Sequence, residues 1–286
     1  MPELPEVEIV KKSLFKIVNK SKIIDVKIKN KNLRYRIPKI FRKELLNEKI
    51  IKISRRSKYL LFHLNKKILL LHFGMTGKLL VLKKNNEMQK TSFYYNLDIL
   101  HKHNHVYFTL DNGVVLIYND VRRFGFFKIY KTINLQKIPF IKKLGFEPLS
   151  KFFNSKYVEK FIKNKKTNIK NLLMNQTFVS GLGNIYVNEA LFMSKIHPLR
   201  IAYTLDKLEL KTLVLNIKSI LWLAILKGGS SIKDFKNVSG KSGTFQQFFK
   251  VYGMQNKKCS RFSCTGEIKK ISISSRSSFF CNSCQR

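Results

Sequence analysis

The feature that most constrains this fold is a change in the period of the apolar residues near Tyr130. Between Lys22 and Tyr130 they fall in short β-rich runs, "KIIDVKIKN", "YLLFHL", "ILLLHFGMTGKLLVL", "HVYFTL" and "VVLIYND". "TLDNGVVL" sets Asn112-Gly113 between two of these runs, which predicts a hairpin. Past "KLGFEPLS" (Lys143 to Ser150), whose Gly and Pro read as a linker, the period becomes helical: "KYVEKFIKN", "IKNLLMN", "IYVNEALFMSK" and "LDKLELKTLVLNIKSILWLAILK". One layer cannot satisfy both periods, and 286 residues are long for a single core. The expectation is an α+β multidomain chain without internal repeats. Residues 1–135 form an N-terminal helix plus β-sandwich, 136–150 a linker, 151–247 a helical domain and 248–286 a small C-terminal hairpin segment.

The chain opens "MPELPEVEIV". Leu4, Val7, Val10, Leu14, Ile17 and Val18 recur at helical spacing, so a helix is expected from about Pro5 to Val18, with Pro in its first turn and Glu3 and Glu6 at its positive end. Pro2 and Glu3 precede that helix and are not required by it on this reading. No basic stretch followed by an apolar core marks a signal peptide. "ILWLAIL" (Ile220 to Leu226) is far below the roughly 20 residues of a membrane span, and a cytoplasmic protein is expected.

The formal charge is +39, which points to a polyanionic partner. Lys, Ile, Asn and Phe are over-used together, as in AT-rich coding, so the retained arginines weigh more than the total: Arg55, Arg56, Arg122, Arg123 and Arg276. The only four cysteines, Cys259, Cys264, Cys281 and Cys284, crowd the C-terminal segment in two close pairs. That pattern fits one tetrahedral, structural Zn2+ on a segment too small to fold unaided. "FVSGLGNIYVNEALF" (Phe178 to Phe192) reads as a helix, a glycine turn and a second helix starting at Asn184, a place where free N–H groups can meet a phosphate. "DVRRFGFF" (Asp120 to Phe127) and "HFGMTG" (His72 to Gly77) put Arg122, Phe124 and Met75 at strand ends, as wedges for a base stack; taken singly, Met75 and Phe124 suit a core better. In "HKHNH", His101, His103 and His105 would share one face of a strand, for phosphate contacts rather than a second metal.

With these pieces in hand, the chain resembles the formamidopyrimidine-DNA glycosylase family of bacterial base excision repair. "MPELPEVE", "RRSKYLL", "HFGMTG", "RRFG", "LGFEPL", "KKTNIK", "GLGNIYVNEALF" and the C-terminal cysteines lie in the family's order from Met1 to the end. The resemblance implies a β-sandwich, a helix-two-turn-helix domain and a zinc finger. It also implies a monomer that acts on double-stranded DNA holding an oxidised purine or an abasic site, releasing the base and then cleaving the strand. By position, Pro2 becomes the nucleophilic amine once Met1 is removed, Glu3 the acid for sugar-ring opening, Lys58 the proton-transfer group of β-elimination and Arg276 the δ-elimination arginine. His72, Met75, His103, Arg122, Phe124, Lys165, Lys170 and Asn184 match DNA-contacting positions, with Met75, Arg122 and Phe124 filling the hole left by a flipped nucleotide. The segment from Gly228 to Gln247 corresponds to the lesion-capping loop and suits a mobile one.

Two departures stand out. Val121 replaces a proline, and the first cysteine pair is spaced by four residues instead of two. A sister family, endonuclease VIII, acts on oxidised pyrimidines with the same architecture and terminal proline, but opens with glycine where this chain has Leu4 and lacks the "RRFG" wedge. A non-catalytic DNA-binding relic of the fold is a further alternative, for which intact Pro2 and Glu3 would have no use.

Overall fold

The computed structural model describes residues 1–83, 88–90, 101–131, 134–229 and 245–286, with the backbone alone for 88–90. Most of the expected capping loop, residues 230–244, therefore lies outside the described residues. The chain divides into two compact units. One is Met1–Lys142 with the segment that begins at Lys227, and the other is Lys143–Leu226 with Phe245–Arg286.

In the first unit, helix α1 (Leu4–Val18) buries Leu4, Val7, Val10, Leu14 and Val18, the stripe its sequence spacing predicts. It packs on the four-stranded one of two antiparallel sheets. The four-stranded sheet has the order β2 (Lys52–Arg56), β3 (Tyr59–His63), β4 (Ile68–His72), β9 (Phe126–Tyr130). The five-stranded sheet has the order β1 (Ile23–Ile28), β7 (Asn104–Leu110), β8 (Val115–Asn119), β5 (Lys78–Leu82), β6 (Met88–Lys90). Helix α2 (Phe41–Leu45) lies between β1 and β2 in sequence and adds Phe41 and Leu45 to the core. That core joins Leu60, Leu69 and Leu71 of one sheet to Val81, Val106 and Leu116 of the other, so the expected sandwich is present. β7 and β8 meet at the predicted turn, where Gly113 has φ 78°.

Three boundaries differ from expectation. Residues 136–142 are no free linker: Ile138 and Ile141, around helix α3 (Pro139–Lys142), are buried with Leu61, Leu70 and Phe126 on the far face of the four-stranded sheet. The cause is that β3 and β4 are apolar on both faces, which demands a cover on the side away from the sandwich core. The segment after Leu226 belongs with the first unit, and Gly229 lies against Ile9 and Glu6. The cysteine segment, finally, is continuous with the helical unit and is no separate body.

The second unit contains helices α4 (Ser155–Ile162), α5 (Ile169–Met174), α6 (Asn184–Met193) and α7 (Lys207–Leu226), with hairpin β10 (Ile268–Ile273) and β11 (Arg276–Cys281). Asn154 and Asn168 cap α4 and α5 with side-chain acceptors. α6 is buried nearly all round and forms the centre against which α5, α7 and β11 pack. Among the described residues, no helix is long and apolar enough to cross a membrane.

Candidate active site and nucleic-acid interface

The start of α1 is a corner built from buried charge. Glu3 is the N-cap, joined to Glu6 by a reciprocal capping box in which the Glu3 N–H donates to Glu6 Oε2 at 2.9 Å. The helix therefore does use Glu3, contrary to the sequence reading. Pro2 is buried, and Glu3 and Glu6 are only 4% and 2% exposed. Lys58, also buried, follows Ser57 (φ 57°) in the tight turn between β2 and β3. Arg55 holds that turn, donating from Nη1 to the Ser57 carbonyl at 2.9 Å and from Nε to Glu8 Oε2 at 2.8 Å. This part-buried ion pair ties the strand turn that carries Lys58 to α1.

The terminal amine in the structure is that of Met1, one residue before Pro2. Burial is the main influence and lowers its pKa below the ordinary 8.0; Glu3 and Glu6 pull upward, while Lys58 and Arg122 push down. Four predicted or neighbouring site groups thus act on one amine. His72 stands in the same field, with its pKa depressed to about 4 by burial and then by Lys58 and Arg34. Its Nδ1 accepts the Gly74 N–H at 3.1 Å, so the neutral ring keeps Nε2–H as a donor.

Two neighbouring loops carry the candidate wedges. Met75, between β4 and β5, and Phe124, between β8 and β9, are each 43% exposed, and the Arg122 guanidinium lies 4.5 Å from the Phe124 ring centroid. Side chains this exposed lie outside the apolar cores of the first unit, which removes the core reading left open by the sequence. At Gly74 (φ +63°) a Cβ would come within 2.4 Å of the Gly125 nitrogen, so the two loops touch backbone to backbone.

The three histidines do not alternate along one strand as their sequence spacing predicts. His101–His103 form a 3-10 turn and β7 starts only at Asn104, so the three rings share no strand face. The Asp120 N–H still donates to the His103 carbonyl at 3.0 Å, so the pairing with β8 reaches His103, but the 3-10 winding of residues 101–103 takes them out of the extended strand. His105 is buried with Nε2 2.8 Å from the Asp120 carbonyl. His103 remains at the surface edge beside the Arg122 loop.

In the second unit, α5, the Gly181 turn (φ 92°) and α6 meet the hairpin. Lys170 is buried; its Nζ donates to the Ser277 carbonyl at 3.1 Å and to the Ser278 hydroxyl. Asn184 Nδ2 donates to the same Ser277 carbonyl at 2.9 Å, and the Phe279 N–H donates to Asn188 Oδ1 at 2.8 Å. Both predicted phosphate ligands thus brace the hairpin turn that bears Arg276, which is exposed. Burial, followed by the Arg276 charge, depresses the Lys170 pKa to about 8. Lys165 is exposed after α4, with Nζ 5.5 Å from the Phe161 ring centroid.

The four cysteine sulfurs lie within 4.8 Å of one another, with Cys259 and Cys284 Sγ 3.9 Å apart and Cys264 and Cys281 Sγ 3.6 Å apart. A tetrahedron with metal–sulfur bonds of about 2.3 Å has edges of about 3.8 Å. The four thiols could therefore hold a metal ion, and among the described residues no other group could. The longer first spacing does not spoil this. Ser263 turns with φ 58°, Phe262 is expelled to 97% exposure, and Arg261 donates from Nη2 to the Phe192 carbonyl at 2.7 Å.

With this geometry in place, the profile of the formamidopyrimidine-DNA glycosylase N-terminal domain matches residues 1–127, and that of the same family's H2TH domain matches residues 144–236. The chain belongs to the formamidopyrimidine-DNA glycosylase family. It is similar over its whole length to formamidopyrimidine-DNA glycosylases of Bartonella tribocorum (42% identical) and Rickettsia bellii (40% identical), and covers the whole of each. Among solved structures it is similar to a Lactococcus lactis Fpg mutant in complex with DNA containing Fapy-dG (TM-score 0.87, 35% identical, each chain covered fully). It is similar also to the wild-type L. lactis protein with DNA containing an oxidised pyrimidine (TM-score 0.85, 35% identical, each chain covered fully).

Several residues of this family member escaped sequence reasoning. Glu189 is 1% exposed and accepts the N–H groups of Lys250, Val251 and Tyr252 at 2.9, 3.0 and 2.8 Å. Its signal was available, since a carboxylate inside the apolar "IYVNEALF" must find partners. Glu6, Glu8 and Asp120 gave no such signal, because near a helix start or in a charged loop an acid is commonplace.

Proposed function

We propose that this chain is a bifunctional DNA glycosylase and abasic-site lyase that removes oxidised purines, 8-oxoguanine and formamidopyrimidines, from double-stranded DNA. The observation that carries the reading is the buried corner at Pro2, where the charges of Glu3, Glu6 and Lys58 all reach the start of the chain. A free α-amine has a reference pKa near 8 against about 10.4 for lysine, so far more of it is unprotonated at neutral pH.

Once Met1 is removed, the Pro2 nitrogen attacks C1′ of the damaged nucleotide. The C1′–base bond breaks, and the departing base takes the electron pair and a proton. Glu3, held by its capping box, delivers a proton to O4′ as the C1′–O4′ bond opens, and loss of the amine proton leaves a cationic iminium. That cation is an electron sink. Removal of a C2′ proton, with Lys58 as the transfer group, expels the 3′ phosphate, and a second elimination assigned to Arg276 expels the 5′ phosphate. His72, His103, Lys165, Lys170 and Asn184 hold the DNA, while Met75, Arg122 and Phe124 occupy the hole left by the flipped nucleotide. Cys259, Cys264, Cys281 and Cys284 would hold a structural zinc, which supplies folding energy to the hairpin that bears Arg276. The enzyme acts as a monomer on the chromosome, in the cytoplasm.

Borohydride trapping on abasic DNA tests the nucleophile. The wild type should give a covalent adduct, and Pro2→Gly should lower its yield by about 100-fold or more. An unchanged yield in Pro2→Gly, or none in the wild type, would sink the assignment.

A further inference from the structure

Asp120 is fully buried, yet it sits at the root of the exposed loop that bears Arg122 and Phe124. Its carboxylate accepts three donors, one from each of the two wedge loops and one from Tyr118 on β8. Oδ1 takes the Thr76 hydroxyl at 2.5 Å, and Oδ2 takes the Tyr118 hydroxyl at 3.0 Å and the Gly125 N–H at 2.8 Å. The Thr76 oxygen in turn accepts the Arg122 N–H at 3.0 Å. Because an N–H can only donate, that contact fixes the direction of the hydroxyl proton, which must point to Asp120. Thr76 immediately follows Met75, so the bridge Arg122 N–H, Thr76 hydroxyl, Asp120 carboxylate runs from one wedge loop to the other. The backbone of Asp120 fixes the root of its own loop, its N–H donating to the His103 carbonyl and its carbonyl accepting the Arg123 N–H at 3.3 Å, where Arg123 has φ 56°. A buried charge answered by three donors is costly to disturb, and nothing in the packing of the sandwich calls for one here.

We propose that Asp120, acting through Thr76, is a positioning residue that latches the Met75 loop to the Arg122–Phe124 loop, so that the three side chains enter a base stack as one rigid wedge. This rests on the wedge reading given above for those three residues. The physical reason is that unstacking a base is costly and is offset only by side chains already in place. Two loops that moved independently would pay ordering entropy at the moment of insertion.

The test uses the full-length, metal-loaded enzyme. Asp120→Asn is the direct variant but risks misfolding, so Thr76→Val, nearly isosteric and lacking only the hydroxyl, is the decisive one, with Thr76→Ser as its rescue. Single-turnover excision of 8-oxoguanine is measured from a duplex, where the wedge must open the stack, and from a single strand, where it need not. Thr76→Val should lose about tenfold on the duplex and at most about twofold on the single strand, and Thr76→Ser should recover the wild-type ratio. An equal loss on both substrates would mean a merely structural role and overturn the latch. So would a wild-type rate for Thr76→Val on the duplex in a preparation where Phe124→Ala is impaired. If Phe124→Ala itself matches the wild type on the duplex, the wedge reading fails first, and that outcome is separately visible.

Discussion

The two corners that carry the candidate chemistry both bury charge, but to different ends. At the start of α1, Glu3, Glu6, Lys58 and the Arg55–Glu8 pair are set against one another and around an amine, on a sandwich whose core spans two sheets. At the hairpin, Lys170, Asn184, Asn188 and Glu189 are aimed at main-chain groups, and the apolar cluster beneath is small, built on Phe192, Val251, Ile268 and Phe279. The first arrangement tunes protonation, because charges facing charges in a dry place shift one another's proton affinity. The second spends its charges on holding a backbone, because a two-stranded hairpin with so little core cannot hold itself. The reactive corner should therefore be robust in structure and sensitive in chemistry, and the hairpin the reverse.

The largest break in that contrast should come from Cys281→Ser. It should lose bound metal and strand cleavage together, the latter by about 100-fold or more, because structural sites of this kind supply on the order of 10 kcal/mol to folding. Metal content and a cleavage assay measured side by side check this, and full cleavage by a metal-free variant would contradict it. Glu189→Gln should have an intermediate effect. It leaves backbone donors short of acceptors at a buried site and should cost about 1–3 kcal/mol. Trp222 on α7 is the only tryptophan in the chain, so its fluorescence follows unfolding of the second unit and should show the lowered midpoint.

The smallest effect is a matter of pH. Burial pushes the Lys170 pKa down to about 8 from 10.5, so the cation is penalised in the folded state, and that penalty fades as pH rises from about 8 towards 10.5. Binding runs the other way, since a phosphate gains from the charge. Affinity for undamaged duplex should fall a few-fold as pH rises through about 8, and Lys170→Met should abolish that step and reduce the salt slope by about 0.9. Equal pH profiles for the wild type and Lys170→Met would show that the buried ammonium serves the hairpin alone.

Much of this was legible beforehand. The α1 stripe, the Asn112-Gly113 hairpin and the paired cysteines each rest on local pattern, and local pattern survives folding. The misreadings differ in cause. Ile138 and Ile141 looked like linker residues because the sheet face they cover is made by strands far away in sequence. His101, His103 and His105 alternate as a strand would, but residues 101–103 wind into a 3-10 turn and only His105 enters the strand. Glu3 looked idle to the helix although its capping partner Glu6 lies only three residues on, at the spacing of a capping box.

The sequence by itself determined the two periods, the acid-rich start, the thiol set and the motif order that marks the family, because each depends on neighbours within a few residues or on residue type alone. Only the tertiary structure decided that Glu3, Glu6 and Lys58 act on one amine, that Lys170 and Asn184 brace the Arg276 hairpin, and that Asp120 joins two loops. Those are contacts between segments up to more than a hundred residues apart, and proton affinity and donor direction are set by what surrounds a group in space, which no local pattern records.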